Sequence, residues 1–143
     1  MVDYRKVLVL LDLSEGSEKV FNAGRDMASR PNASLIALHV VDCAPVEPMG
    51  ETLMPSMEIE RSLVDRSRAR IEQLIAGSNA ANARGRVEIG NTKAEILRVA
   101  NEESADLIVL GSRERHGLAI LVNFTEDTVL HAAHCDVLAV RLS

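Results

Sequence analysis

Arg5-Lys6-Val7-Leu8-Val9-Leu10-Leu11-Asp12-Leu13-Ser14 opens the chain with five consecutive apolar residues followed by an acid and a hydroxyl. The run is apolar on both faces of an extended chain. A half-exposed strand alternates, whereas a run of this kind suits a parallel strand covered on both sides. Ser14 can then cap a helix running to about Ser29, with Ser17 as a competing cap and Glu15 and Glu18 suiting its positive start. Val20, Phe21, Gly24, Met27 and Ala28 supply the inward face, and Pro31-Asn32 ends it.

The same alternation continues. Leu35 to Val41 reads as a second strand, and Asp42 to Ser56, with Pro45, Pro48, Gly50 and Pro55, as an irregular loop. A helix is expected over 56–76, with Ile59, Leu63, Ile71, Leu74 and Ile75 as its apolar stripe and Arg61–Asp65 and Arg68–Glu72 spaced i,i+4 on the wet side. Arg86-Val87-Glu88-Ile89 is a short third strand. Thr92-Lys93-Ala94-Glu95 has the capping-box pattern for a helix to about Ser104. Asp106 to Leu110 is a fourth strand closed by Gly111, 125–133 a last helix, and Val137 to Leu142 a fifth strand. Strands alternating with helices call for an α/β fold: an open, Rossmann-like parallel sheet with helices on both faces, in one domain over residues 1–143. Ligands in such sheets lie beyond the carboxyl ends of the strands, where the strand order reverses.

Composition bounds the function. The chain has 143 residues, 26% charged and 47% hydrophobic, enough apolar surface for a core. Its net charge of −5 is not segregated, and Tyr4, Phe21 and Phe124 are its three aromatics, so no nucleic-acid partner is expected. No apolar run reaches the ~20 residues of a membrane span, and no export signal is evident. Cys43 and Cys135 form no motif with each other, and the expectation is two reduced thiols in the cytoplasm, with Cys43, far from strong cations, inert. His131-Ala132-Ala133-His134-Cys135 is not a closed ligand set, so no metal is expected. His39, within an apolar strand, reads as a core histidine whose ring is hydrogen-bonded.

Four segments, in order, give the chain a family likeness. They are Lys6-Val7-Leu8-Val9-Leu10-Leu11-Asp12-Leu13-Ser14, Leu38-His39-Val40-Val41-Asp42, Ala105-Asp106-Leu107-Ile108-Val109-Leu110-Gly111-Ser112 and Cys135-Asp136-Val137-Leu138-Ala139-Val140. Together they resemble the universal stress protein family in its small single-domain form. The resemblance implies the strand order 3-2-1-4-5 and a homodimer through the last strand, Val137 to Leu142. An edge strand with an apolar run offers unpaired backbone groups for such pairing. It also implies a site for ATP, with Asp12 after the first strand, backbone contacts to adenine at Val40, and phosphate contacts from Gly111 onward through Arg113, Gly117 and Thr125.

The family's nucleotide signature is Gly, two residues, Gly, nine residues, then Gly-Ser or Gly-Thr. This chain has Gly111, then Glu114 and Phe124 where the second and third glycines belong, and then Thr125. Glu114 sets a carboxylate in the phosphate path, and Phe124 adds bulk where bare backbone is needed. Glu126 and Asp127 add two more anions at the helix start. At 4 Å and an effective dielectric near 20, each unit pair of like charges repels by about 4 kcal/mol before screening. Arg113, Arg115 and His116 offset part of this. Gly111 is expected to need unusual backbone angles, and Gly117 is equally well loop punctuation.

The sequence therefore predicts a non-catalytic stress-response dimer with weakened or lost ATP binding, no required cofactor, and an unidentified protein partner. The alternative is a switch that still binds ATP or AMP. A phosphate-accepting receiver domain would need an Asp after the third strand and a Lys after the fifth, and Gly90-Asn91 and Arg141-Leu142-Ser143 supply neither. A dinucleotide-binding fragment would need Gly-x-Gly-x-x-Gly after the first strand, where Asp12-Leu13-Ser14-Glu15-Gly16 stands.

Overall fold

The computed structural model describes residues 4–42, 53–112 and 124–142, and within these the side chains of 53–57 and 124–127 are left aside. The elements run β1 (Lys6–Leu10), α1 (Ser17–Met27), β2 (Ser34–Val41), α2 (Leu53–Ser78), β3 (Ala83–Ile89), α3 (Thr92–Glu102), β4 (Leu107–Ser112), α4 (Phe124–Ala132) and β5 (Asp136–Arg141). All sheet pairs are parallel, in the order β3-β2-β1-β4-β5. The fold class is thus as the alternation of elements predicts, and the strand order is the one the family resemblance implies.

The two-sided apolar run of β1 has its cause in the two cores. Val7, Val9 and Leu11 point to one face, where Val20 and Phe21 of α1 and Ile71 of α2 cover them. Leu8 points to the other, against Ile96 and Val99 of α3 and Val129 of α4. Burying a Val, Leu or Phe side chain contributes about 1.5–3 kcal/mol, so each side of β1 holds a helical layer in place. Gly24 lets α1 press directly on β1: a methyl at its Cβ position would overlap Val9 Cγ2.

Several boundaries differ from expectation, each for a local reason. The N-cap of α1 is Gly16, between the two expected caps Ser14 and Ser17, and no side chain caps the helix there. Ser14 is drawn away by Asp12, as described below. α2 starts at Leu53, three residues before the expected Ser56, and Pro55 falls in its first turn, where a missing N–H breaks no helical bond. β3 begins at Ala83 instead of Arg86. Its Arg84 and Arg86 obscured the strand because they face an ionic layer rather than an apolar one. Arg84 pairs with Glu103, and Arg86 pairs with Glu88 at 2.6 Å and Glu102 at 2.9 Å. Arg98 of α3 joins them through Glu88 at 3.3 Å, Glu95 at 2.6 Å and Glu102 at 2.8 Å. The α3 cap is Asn91, whose Oδ1 accepts from the Ala94 N–H at 3.0 Å, one residue before the Thr92 of the capping-box pattern. Glu95 accordingly turns to Arg98.

The stripe expected along α2 divides. Ile71 is buried and Leu74 and Ile75 pack on the core, but Ile59 and Leu63 are 61% and 40% exposed. Steps of four residues drift about 40° around a 3.6-residue helix, so the row 59-63-67-71-75 turns by about 160° and its first members leave the core face. The i,i+4 spacings Arg61–Asp65 and Arg68–Glu72 close no ion pair. No helix of the described residues is long and apolar enough to cross a membrane.

Candidate functional site

Parallel register brings three of the expected residues to one end of the sheet. β1 pairs with β4 through Val9↔Val109 and with β2 through Leu10↔Leu38, so Asp12, Val40 and Gly111 all lie at the carboxyl ends of adjacent strands. The crossovers leave β1 in opposite directions there, which opens the crevice used by ligands in this architecture. Arg113 and Gly117 lie outside the described residues. Thr125 is the second residue of α4, which starts one residue earlier than expected, at Phe124.

Asp12 organises the turn from β1 to α1. Its Oδ1 accepts from the Ser14 N–H at 2.9 Å, the Ser14 hydroxyl at 2.6 Å and the Ser17 hydroxyl at 3.2 Å. Ser17 is 3% exposed, so its hydroxyl depends on that oxygen. The turn between them is strained, with Leu13 at φ 61°, a left-handed conformation that branched and bulky residues avoid. Arg70 of α2 donates to the Leu13 carbonyl at 3.2 Å and braces the turn from outside. Nothing in the sequence marked Arg70, because its partner is a backbone oxygen 57 residues away.

Val40 buries its side chain in the core shared with α3, so what it can offer a ligand is backbone. It pairs with Glu88 of β3, and lies beyond the last β1 partner of β2. Next to it, His39 Nδ1 donates to the Leu11 carbonyl at 2.7 Å. The hydrogen bond expected of this histidine is present, but His39 is half-buried and belongs to neither core.

Gly111 corrects an expectation. It lies within β4, and no left-handed angle is found there; among the described glycines Gly90 alone has positive φ. Glycine is needed at 111 for room. A methyl there would stand 2.7 Å from Leu142 Cδ1 and 3.1 Å from Val20 Cγ2. The bare side of Gly111 is thus filled by the residue after β5 and by α1.

Two further features adjoin the crevice. Thr92 Oγ1 donates to Asp42 Oδ2 at 3.0 Å, tying the end of β2 to the start of α3. Between α1 and α2 lies a groove of about 430 Å³ lined by Ser17, Phe21, Arg25, Arg70 and Leu74 among others. Its guanidiniums are engaged by backbone carbonyls, Arg25 with Ser78 at 2.8 Å and Arg70 with Leu13.

The groups with ligand chemistry elsewhere do not converge. α4 ends at Ala132, which leaves His134 and Cys135 past the helix, and among the described residues no three His, Cys, Asp or Glu side chains form a metal-holding group. Cys135 is half-buried. Burial, reinforced by Asp136 and Asp106, pushes its thiol above the ordinary range.

The chain matches the Universal stress protein family over residues 3–141. It is 30% identical over 143 residues to universal stress protein A homolog 2 of Coxiella burnetii, covering 99% of this chain and 98% of that one. The structure of universal stress protein UspA from Lactobacillus plantarum superposes with a TM-score of 0.77 at 26% identity, covering 99% of this chain and 100% of that one. A universal stress protein in complex with cAMP has a TM-score of 0.70 at 20% identity, with coverage of 99% and 100%.

Proposed function

The chain belongs to the universal stress protein family, and from that premise we propose that it serves the stress response as a non-catalytic cytoplasmic dimer, acting through a protein partner, with its ATP cradle largely closed. The observation that carries this reading is the loss of two signature glycines, with Glu114 and Phe124 standing in their places. A carboxylate and an aromatic ring are the wrong chemistry for a signature that keeps backbone bare for phosphates. At the same crevice Asp12 Oδ1 is already bonded to three donors of its own turn. Leu138, Val140 and Leu142 pack on the core from β5, while the outer edge of that strand faces no other strand of the sheet. That edge supports the dimer, through Val137 to Leu142.

A second reading keeps the site alive for an adenine nucleotide. It is favoured by the gathering of Asp12, Val40 and Gly111 at one crevice, and by a neighbour of the same fold that holds cAMP.

Thermal denaturation with and without ATP separates the two. A ligand at 100 times its dissociation constant adds about 2.7 kcal/mol, roughly 9 °C in a domain of this size. The closed cradle predicts no resolvable shift in the natural chain at millimolar ATP. It predicts that Glu114→Gly combined with Phe124→Gly brings one about. A clear shift in the natural chain favours the second reading.

A further inference from the structure

The exposed part of α2 carries the most specific unassigned surface. Glu58, Ile59, Ser62, Leu63 and Arg66 line a shallow depression of about 380 Å³ on its outer side. Ile59 and Leu63 are two of the five large apolar side chains exposed among the described residues. Glu58 and Arg66 form no ion pair among the described residues. With about 100° per residue, these five positions span about 140° of one helical face. The core face, centred near Ser67 and Ile71, lies to one side of that arc.

The order of residues along this face is self-complementary. Ser62 is small and central. Glu58 lies four residues before it and Arg66 four residues after it, each about 6 Å along the axis. A second helix laid antiparallel about a twofold axis at Ser62 therefore sets the partner's Arg66 opposite Glu58, and the partner's Glu58 opposite Arg66. Ile59 and the partner's Leu63 then differ by about 3 Å in height, within side-chain reach. A parallel arrangement would instead face acid with acid.

We propose that this face of α2 is an isologous contact with a second copy of this chain, closed by two Glu58–Arg66 pairs around an Ile59–Leu63 cluster. The contact is separate from the β5 edge and does not depend on it. A single helical face buries less than the ~1,200–2,000 Å² of stable complexes, so association through it is weak. Exposed ion pairs make it salt-sensitive.

Crosslinking reads this contact alone. In a Cys43→Ser, Cys135→Ser background, Ser62→Cys places a thiol on the twofold axis, and Arg68→Cys places one about 120° round α2 from it, outside the five-residue face. Under air oxidation, Ser62→Cys is expected to form disulfide-linked dimers about tenfold faster than Arg68→Cys, with the advantage lost on adding Glu58→Arg or Arg66→Glu and recovered when both are combined. Equal rates at 62 and 68, or no recovery in the double reversal, overturn the proposal. Should the cysteine-free background fail to fold, sedimentation of the charge-reversal series under reducing conditions gives the same decision. Each single reversal should lower the mass reached at roughly 0.02 M salt and the pair should restore it, with the differences vanishing near 1 M. An unchanged mass across the series overturns the contact, whatever happens at β5.

Discussion

Replacing Asp12 distinguishes a residue that holds its own turn from one kept for a ligand. Asp12→Ala removes the acceptor of three hydrogen bonds. The Ser14 hydroxyl can turn to water, so its bond counts for little. The Ser14 N–H loses a carboxylate partner, and hydrogen bonds to charged groups contribute about 1.5–3 kcal/mol each, less where water has access. The Ser17 hydroxyl, at 3% exposure, is left without that acceptor, which costs about 1–3 kcal/mol. Leu13 is also left in its left-handed conformation without the clasp that holds it. Since these losses share one oxygen and do not add, the expected destabilisation is about 2–3 kcal/mol, or roughly 7–10 °C in melting temperature. Asp12→Asn keeps an oxygen in place and should lose less than half as much. The assay is thermal denaturation of the natural chain and both variants, first without nucleotide and then with millimolar ATP. An Asp12→Ala protein that melts with the natural chain, yet abolishes an ATP-induced shift seen in that chain, refutes the reasoning.

Other expectations follow from the same structure. Gly24→Ala and Gly77→Ala, both within helices, should move stability in opposite directions in urea denaturation. A helical alanine gains up to about 1 kcal/mol over glycine, and Gly77 has open space around it, but at Gly24 the methyl overlaps Val9 and overpacking costs about 1–3 kcal/mol. Glu95 has its carboxyl held below 4.5 by the hydrogen bond from Arg98. Its folded value is depressed, so its contribution to stability is present above that pH and fades as pH falls through the folded value. Carbon-detected NMR titration should find the Glu95 midpoint below 4.5 and find it raised in Arg98→Ala.

The alternation of strands and helices was legible because apolar runs are local signals and β1 carries its two-sided burial within one segment, whereas the strand order came from the family resemblance and not from the runs themselves. Element starts were less legible where a side chain had a better offer than the helix. Ser14 is a good capping residue in isolation, yet it bonds Asp12, and the cap of α1 falls two residues later, at Gly16. Arg84 and Arg86 disguised the first half of β3, since a strand faced by Glu102 and Glu103 does not read as apolar. In the crevice, Asp12, Val40 and Gly111 were placed correctly at the strand ends. What Gly111 is for was not readable, because Leu142 lies 31 positions downstream and comes alongside only through the β4–β5 register. The drift of α2's apolar row was computable from its spacing alone, but where the core face lies along that helix is decided by β3.

The sheet's two margins are chemically unlike. The β3 margin alternates Arg84, Arg86 and Glu88, set in ion pairs, with Val87 and the exposed Ile89, whereas the β5 margin has Val137, Leu138 and Val140 half-buried against the cores. If two β5 margins join into one continuous ten-strand ribbon, each outer rim of that ribbon is a charged β3, which rejects another apolar strand. Growth by strand addition then halts after one event, and the fold carries its own terminator against fibril formation.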